Sequence, residues 1–373
     1  MDFSLTDEQR ALSELAAQIL TDRCPLERLK AVEGSEDRFD RELWNEFARA
    51  GLLGAALPES VGGSGGGFIE ACLLLEQQGK RVAPLPIVST IVSAAMPLMR
   101  FGTKEQQQRY VTGVASGKTF LSAALTELGT DARTPTTAAT PDGGGWKLNG
   151  LKVEVSMAHA ASVVLVPART ARGEVAIFLV DPKTPGVSLA RQDATNWEPQ
   201  FRMELKNVKV AADAVLGSIE SGRDVLDWIV DRTTVGLCAV AAGACQEALR
   251  ITAEYASNRK QFDKPIAMFQ AVGQRMADSY IDNEAVTLTM WQAASYLADE
   301  MPSDKEIATA KYWASEGGHR IGHAALHIHG GISIDIDYAI HRYFHWLKQL
   351  EFTLGAATPQ LVRLGALIAA EPA

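Results

Sequence analysis

The stretch SVVLVPARTARGEVAIFLVDPKTPG, residues 162–186, decides the class of fold. Its two apolar runs, 162–168 and 174–181, are short and rich in Val, Ile and Leu, so each predicts a buried β-strand. An Ala-Arg-Gly turn at 171–173 separates the runs, and DPKTPG follows the second one. Because the strands are neighbours in sequence, we expect antiparallel pairing.

The β-rich pattern extends from Phe120 to about Leu216, with further turn signals at 141–145 and 148–150. On the N-terminal side the apolar spacing predicts helices, beginning with an amphipathic helix over residues 5–20 that is capped at Thr6. After residue 217 long alanine-rich segments predict buried helices of a bundle. The sequence therefore predicts an α+β multidomain protein with an N-terminal helical domain over 1–118, a middle β domain over 119–222 and a C-terminal four-helix bundle over 223–373.

Composition excludes several classes of function. The chain has 373 residues, with 36 Lys+Arg against 45 Asp+Glu and a formal net charge of −9. A nucleic-acid-binding protein needs a basic surface to neutralise phosphates, so this balance argues against one. With 47% hydrophobic and 22% charged residues, the chain can bury a large core in two or three domains.

Targeting and membrane signals are absent from the sequence pattern. The first twenty residues carry charges throughout and lack the apolar core of a signal peptide. No run reaches the ~18–20 apolar residues of a membrane span. The cysteines form no CxxC pair, which is typical of buried thiols in a reducing compartment: Cys24, Cys72, Cys238 and Cys245. We expect a cytoplasmic protein that binds neither membrane nor nucleic acid.

Seven short segments, in one order along the whole chain, carry a resemblance to a known family. They are MDFSLTDEQRAL at 1–12, GLLGAALPESVGGSG at 51–65, ALTE at 124–127, LNGLK at 148–152, RMELKNVKVAADAVLG at 202–217, YASNRKQFDKPIAMFQAV at 255–272 and HIHGG at 327–331. On these segments the chain resembles the acyl-CoA dehydrogenases, and in particular the β (accessory) subunits of heterotetrameric enzymes that act on sterol side-chain CoA esters such as 3-oxo-cholestenoyl-CoA.

The resemblance implies the acyl-CoA dehydrogenase fold and FAD-dependent α,β-dehydrogenation of an acyl-CoA thioester, with electron-transfer flavoprotein as the acceptor. In that family a Glu carboxylate removes the α-proton while the flavin takes the β-hydride. Both groups must face one Cα–Cβ bond of the substrate.

The family's catalytic base is not found at its usual place. The aligned stretch KQLEFTLGAATPQ puts Leu354 there, and a leucine cannot accept a proton. Two carboxylates remain as alternatives: Glu351, three residues away, and Asp231, in an Asp-Arg pair that resembles the base-carrying Glu-Arg pair of a minority of the family. The competing interpretation of Asp231 is a helix-capping or salt-bridging aspartate. We expect no catalytic residue in this chain.

The resemblance also places departures in the flavin pocket. The family's ALTEP loop with its small-residue turn reads ALTELGTDARTP, so Leu128 replaces the proline and the turn carries Asp131 and Arg133. The Trp-Ile-Thr strand along the flavin ring reads Glu-Val-Ser at 154–156. Its serine keeps a hydroxyl, but the anionic Glu154 replaces an aromatic and disfavours an anionic reduced flavin.

Other residues match the part of the family's FAD site that crosses a subunit boundary. In the family's dimers of dimers, the ADP half of FAD reaches an Arg-x-x-Phe motif, a following Gln and a Gln-x-x-Gly-Gly turn of the neighbouring subunit. The matching residues are Arg259, Phe262, Gln270, His327, Gly330 and Gly331. The resemblance implies that Arg259 pairs with the pyrophosphate and that the glycines admit close backbone approach. His327 for Gln and Asp263 for Gly are departures, and without the family 259–262 is an ordinary cationic helix end.

Three functions follow from this pattern of losses and retentions. The first is an accessory subunit of an α2β2 acyl-CoA dehydrogenase, which lends ADP contacts to a homologous catalytic partner that owns the base and the flavin pocket. The second is a self-sufficient homotetrameric dehydrogenase that uses Asp231 or Glu351 as its base. The third is a flavin-free scaffold or CoA-ligand-binding protein.

Two further patterns have competing interpretations. The histidines at 319, 323 and 327 share one helical face, which suggests metal ligands, but no carboxylate or thiolate accompanies them, so we expect interface packing and no metal. The glycine cluster at 62–67 suggests a phosphate loop, but no Lys-Ser/Thr follows it, so we expect a turn between helices.

Overall fold

The computed structural model describes residues 3–371, in which helical segments precede and follow a β-rich stretch of the chain. The helices are α1 Asp7–Arg23, α2 Leu26–Glu33, α3 Arg41–Arg49, α4 Phe68–Arg81, α5 Met96–Phe101, α6 Lys104–Gln106, α7 Gly222–Asn258, α8 Gln270–Ala298, α9 Asp304–His329, α10 Ile340–Phe352 and α11 Ala357–Ala369. The strands are β1 Leu121–Ala123, β2 Ala138–Asp142, β3 Gly145–Ser156, β4 Val163–Thr170, β5 Val175–Val180, β6 Val187–Asp193, β7 Pro199–Val210, β8 Val215–Leu216, β9 Lys260–Gln261 and β10 Lys264–Pro265. This order confirms the α+β fold class.

The chain divides into two compact units. The bundle unit comprises Met1–Ser35, Cys72–Pro84 and Thr234–Ala373, and the sheet unit comprises Glu36–Ala71 and Leu85–Thr233. Helices α4 and α7 contribute residues to both. Because this division follows packing rather than chain order, the three domains expected at 1–118, 119–222 and 223–373 stay a prediction.

The sheet unit is built on an eight-stranded sheet in the order β6-β7-β3-β2-β4-β5-β8, with β1 paired to β4. Strands β4 and β5 are the two predicted from the apolar runs, and they pair antiparallel. Every residue of β5 is buried. The pairs β1–β4 and β2–β4 are parallel, however, which corrects the antiparallel expectation. Long connections separate these strands in sequence, and such connections let a strand return in the same direction.

The glycine cluster Gly62–Gly67 lies between a 3₁₀ turn, Glu59–Val61, and helix α4. The backbone N–H of Gly67 donates a hydrogen bond to Glu70 Oε2 at 2.6 Å. A carboxylate of the protein therefore takes the place that a bound phosphate would need, and the cluster is the predicted turn between helices.

Two glycines in the bundle unit allow its helices to approach closely. A Cβ at Gly79 of α4 would lie 2.0 Å from Val240 O, and a Cβ at Gly243 of α7 would lie 1.9 Å from Glu76 O. No side chain fits at either distance, so α4 and α7 meet backbone to backbone. The Thr6 capping box that opens α1 has the predicted position.

The segment after the Gly330-Gly331 turn is tied to α2. The guanidinium of Arg342 donates to both carboxylate oxygens of Glu33, at 2.7 and 2.8 Å, and to Ile336 O at 3.1 Å. The Arg342 side chain is only 3% exposed. A buried bidentate pair fixes the position of this segment firmly.

One stretch within residues 3–371, Ile340–Ala369, reaches the length and apolar character of a membrane-spanning helix. The structure interrupts it between α10 and α11, where Leu354 and Gly355 have φ of 56° and 95°. The two halves are therefore separate helices of 13 residues each.

Candidate functional site

Arg259 follows the last turn of α7 and leads into a tight hairpin. Its N–H donates to Tyr255 O at 2.8 Å, and its carbonyl accepts from Ile266 N at 2.8 Å. Strands β9 and β10 enclose the two turn residues, Phe262 and Asp263, which have φ of 52° and 62°. Aspartate tolerates this left-handed conformation, which explains how Asp263 can stand where the family has glycine.

Phe262 and Gln270 lie on the exposed side of this hairpin and of the start of α8. The Phe262 side chain is 88% exposed and makes an edge contact with the Phe269 ring at 6.2 Å. Gln270 is the first residue of α8 and is exposed. Large exposed apolar side chains of this kind indicate an interaction surface.

The turn Gly330-Gly331 ends helix α9. Gly330 has φ 66° and ψ −141°, a conformation that favours glycine. No atom lies within 4 Å of a Cβ placed on either glycine. Space for a ligand is therefore open beside the backbone at this turn.

His329, which precedes the glycine turn, has a buried nitrogen atom with no partner. Its ring stacks on Tyr255 with 4.4 Å between centroids, and its Nδ1 lies 2.8 Å from Ala325 O. Within residues 3–371, Nε2 is buried without a hydrogen-bond partner. Burial lowers the pKa of the imidazole, which keeps the ring neutral and leaves Nε2 as an acceptor.

His327 contacts Arg275, a residue that no sequence motif indicates as part of the site. Its Nδ1 lies against the guanidinium of Arg275, on the second turn of α8. The two residues are 52 positions apart, so no local spacing marks the pair. The structure thus brings His327, Tyr255, Arg259 and the glycine turn to one end of the bundle unit.

In the sheet unit, Arg133 connects the altered family loop to α7. Its guanidinium donates to Asp227 Oδ1 at 2.8 Å and to Asp231 Oδ1 at 2.5 Å. Arg223 in turn donates to the Arg133 carbonyl. Burial alone would lower the pKa of Arg133, but the two carboxylates raise it. Asp231 is therefore a salt-bridging aspartate, the competing interpretation given above.

The retained ALTE segment contributes a buried ion pair. Glu127 Oε1 accepts from Lys152 Nζ at 2.6 Å, and the same carboxylate accepts from the backbones of Thr136 and Thr137 at 2.7 and 3.1 Å. Although burial opposes ionisation, Lys152 and the threonines lower the pKa of Glu127 to about 2, while burial lowers that of Lys152 to about 8. Glu127 is thus a structural anchor for the ends of the 127–137 loop, a role that sequence reasoning missed.

The strand expected along a flavin ring is irregular at its centre. The register of β3 against β7 shifts between Lys152 and Val155, and Glu154 has φ 56°. The N–H of Glu154 donates to Gln192 Oε1 at 2.9 Å, and desolvation raises the pKa of the Glu154 carboxyl. An acidic side chain at this bulge does not fit an electron-rich flavin ring.

Leu354 and Glu351 lie at the C-terminal end of α10, in the bundle unit. The Glu351 carboxylate accepts from Lys348 Nζ at 2.6 Å and lies 3.2 Å from His319 Nδ1. The buried ammonium of Lys311, whose pKa burial lowers to about 8, donates to Leu350 O and Glu351 O. Glu351 is therefore held in an ion-paired cluster rather than presented as a bare carboxylate.

The histidine row on α9 holds no metal cluster. The His319 and His323 rings make a tilted contact with 4.4 Å between their centroids, and His327 contacts Arg275. Across residues 3–371, no group of three His, Cys, Asp or Glu side chains could hold a metal ion.

Three family models match the chain, all for acyl-CoA dehydrogenases. The N-terminal domain model matches residues 6–118, the middle domain model 122–208 and the C-terminal domain model 220–366. The chain belongs to the acyl-CoA dehydrogenase family. Its members are flavin-dependent oxidoreductases, so the predicted enzyme class and fold are confirmed.

Individual relatives within this family match over the whole length. Acyl-CoA dehydrogenase FadE27 of Mycobacterium tuberculosis is 40% identical over 381 residues, covering 100% of both chains. A chain of the ChsE4-ChsE5 complex from M. tuberculosis has 40% identity and a TM-score of 0.95, also with full coverage of both chains. A chain from a variant of the Tcur3481-Tcur3483 steroid acyl-CoA dehydrogenase has 43% identity and a TM-score of 0.91, covering 97% of this chain and 98% of that one.

The described residues fit the two halves of FAD unequally. In the bundle unit, the open backbone at the glycine turn and the exposed Arg259 suit an ADP group. In the sheet unit, the loop expected beside the flavin ring carries the Arg133 ion pairs, and Glu154 replaces the covering aromatic. The residues present thus suit the ADP half better than the isoalloxazine ring.

Proposed function

We propose that this chain is the accessory subunit of a heterotetrameric FAD-dependent acyl-CoA dehydrogenase. It donates contacts to the ADP half of FAD and leaves proton abstraction to a homologous catalytic subunit in an α2β2 complex. The observation that carries this proposal is the ion pair between Asp231 and Arg133 at 2.5 Å. Asp231 is the carboxylate that could best replace the missing base, and this ion pair already engages it.

The chain's other carboxylates near the family motifs also have hydrogen-bond or ion-pair partners within the protein. Glu351 is bound by Lys348 and His319, and Glu127 is bound by Lys152 and two backbone N–H groups. A general base must be able to reach the substrate proton and accept it. A carboxylate whose oxygens already accept from cations has a lowered affinity for protons. These contacts support the absence of a base.

Six residues would hold the ADP half in trans: Arg259, Phe262, Gln270, His327, Gly330 and Gly331. Arg259 would donate to the pyrophosphate, and Gly330 and Gly331 would admit it close to the backbone. When bound, FAD supplies the hydride acceptor for α,β-dehydrogenation. This chain would bind and orient the dinucleotide and move no proton itself.

A protein partner is supported by the apolar surface around this site. Phe262, Met268, Ile334 and Ile336 are 88, 67, 81 and 65% exposed. Large apolar side chains exposed to this extent indicate an interaction surface, and here they lie on the chain segments that carry the proposed ADP contacts. A homologous subunit seated there would bring its own FAD to Arg259.

The substrate class rests on the relatives. One similar structure is described as a steroid acyl-CoA dehydrogenase, and a second is the ChsE4-ChsE5 complex. We accordingly propose a CoA-activated sterol side chain as substrate in cholesterol degradation, electron-transfer flavoprotein as acceptor, and a cytoplasmic location.

The test is to co-express the chain with acyl-CoA dehydrogenase homologues from the same genome, to isolate the complex that forms, and to compare variants of this subunit. Arg259→Ala is expected to lower FAD retention of the purified complex, whereas Asp231→Asn is expected to leave turnover nearly unchanged. A complex that loses its activity on Asp231→Asn would show that the base resides in this chain, as the self-sufficient alternative requires.

A further inference from the structure

Arg275 differs from most arginines of the bundle unit in its surroundings. Six arginines lie between Thr234 and residue 371. Four of them pair with carboxylates: Arg250 with Glu247 and Glu254, Arg320 with Asp282 and Glu316, Arg342 with Glu33, and Arg363 with Asp304. Among the residues that the structure describes, neither Arg259 nor Arg275 pairs with a carboxylate. Among the described residues, no carboxylate therefore offsets the positive charge of these two arginines.

Contacts bring these two arginines to the same end of the bundle. The backbone N–H of Arg259 donates to the carbonyl of Tyr255, whose ring stacks on His329. Arg275 contacts His327, close to the end of the same helix, α9. Both arginines are thus connected to the residues that immediately precede the glycine turn, one from the end of α7 and the other from α8.

The contact with His327 orients Arg275 without neutralising it. A guanidinium has only donors and stays protonated, so Nδ1 of His327 must accept and the imidazole is neutral. The net charge of the pair is +1. A neutral partner that fixes a cation in this way leaves the charge available to an anion.

We infer that Arg275, positioned by His327, is a second phosphate-binding residue for the diphosphate of the dinucleotide. This rests on the proposed function, because it places the ADP half of the partner's FAD at the same turn. A diphosphate carries two negative charges, and one guanidinium from Arg259 meets one of them. Arg275 supplies a second cation with fork geometry that suits phosphate oxygens. The inference also gives a role to His327, which stands where the family has glutamine: it positions the guanidinium of Arg275.

The experiment compares FAD with riboflavin, which carries neither phosphate of the diphosphate. The complex is purified with Arg275→Ala, Arg275→Lys or Arg259→Ala in this subunit, stripped of flavin and titrated with each cofactor by fluorescence quenching. Loss of one charge-assisted phosphate contact raises the FAD Kd about tenfold for Arg275→Ala. Arg275→Lys keeps the charge and raises the FAD Kd less, and riboflavin binding is unchanged. The slope of log Kd for FAD against log salt concentration becomes shallower.

The matched control is Arg363→Ala, which removes an arginine that pairs with Asp304 and leaves FAD binding unchanged. If Arg259→Ala weakens FAD binding but Arg275→Ala does not, the inference about Arg275 is wrong and the proposed function stands. If neither variant affects FAD binding, both fail. Equal weakening of FAD and riboflavin binding by Arg275→Ala would show a general loss of structure and also contradict a phosphate contact.

Discussion

The substitution Asp231→Asn distinguishes a structural role of this carboxylate from a role as the catalytic base. Asp231 accepts from Arg133 at 2.5 Å, and both side chains are 18% exposed. Asparagine keeps an acceptor oxygen but loses the charge, so about 1.5 kcal/mol of unfolding free energy should be lost, the lower end for a charge-assisted hydrogen bond. In a unit of this size that corresponds to a Tm lower by about 3–6 °C.

A catalytic base and a structural ion-pair partner differ in how much turnover falls when the residue is replaced. A general base contributes roughly 10²–10⁴-fold to rate, so removing a true base would reduce turnover by about that factor at nearly constant Tm. As the ion-pair partner of Arg133, Asp231 should affect turnover of the complex by less than about twofold.

The assay measures both quantities on the same co-purified complex, with thermal unfolding for Tm and reduction of an artificial electron acceptor by an acyl-CoA for turnover. Asp227→Asn is the matched control, since Asp227 binds the same Arg133 at 2.8 Å but is 38% exposed, and it should cost only about 0.5 kcal/mol. A loss of turnover of about a hundredfold or more with an unchanged Tm would refute the assignment of Asp231 as a structural residue.

The remaining predictions concern stability and the glycine turn. Folding lowers the pKa of Glu127 to about 2 from its ordinary value of 4.5. The ionised carboxylate therefore stabilises the fold fully above pH 4.5, and this contribution is lost as the pH falls from 4.5 through 2. In acid unfolding followed by circular dichroism, Glu127→Gln should show a weaker pH dependence of stability below pH 4.5 than the unchanged protein. Lys152→Met should leave Glu127 buried and unpaired and lower the unfolding free energy by about 3–5 kcal/mol, and a loss below about 1 kcal/mol in denaturant titration would contradict this. Gly330→Ala should strain the backbone at φ 66° by about 1–3 kcal/mol and lower FAD retention of the complex, whereas full retention would mean that the turn does not approach the cofactor. Arg342→Ala should unpair the half-buried Glu33 and lower Tm, and the double variant with Glu33→Ala should recover part of that loss.

The sequence predicts the central strands well because their signal is local. The runs that become β4 and β5 are short, apolar and separated by a turn, and the structure pairs them as expected. The parallel pairings of β1 and β2 with β4 were not predictable in this way, since Leu121 and its partner Val163 are far apart in sequence and turn signals describe only adjacent strands.

The site was predictable only in part. The family motifs point to Arg259 and the glycine turn, because these residues stand in characteristic spacings. The contacts of Asp231 with Arg133 and of His327 with Arg275 join positions 98 and 52 residues apart. Such pairs depend on how helices and loops pack, and no periodicity encodes them. The buried lysine at position 152 gave no signal either, because lysine is almost never fully buried unless it is paired.

The flavin content per chain shows directly whether this subunit binds FAD alone or only together with a catalytic partner. Absorbance at the flavin band, divided by protein concentration, is measured for the chain purified alone and for the complex with its catalytic homologue. We expect a colourless lone chain and a yellow complex with about one FAD per pair of subunits. A yellow lone chain with one FAD per chain would contradict this expectation, because the sheet unit would then form a complete flavin pocket despite Glu154 and the Arg133 ion pairs.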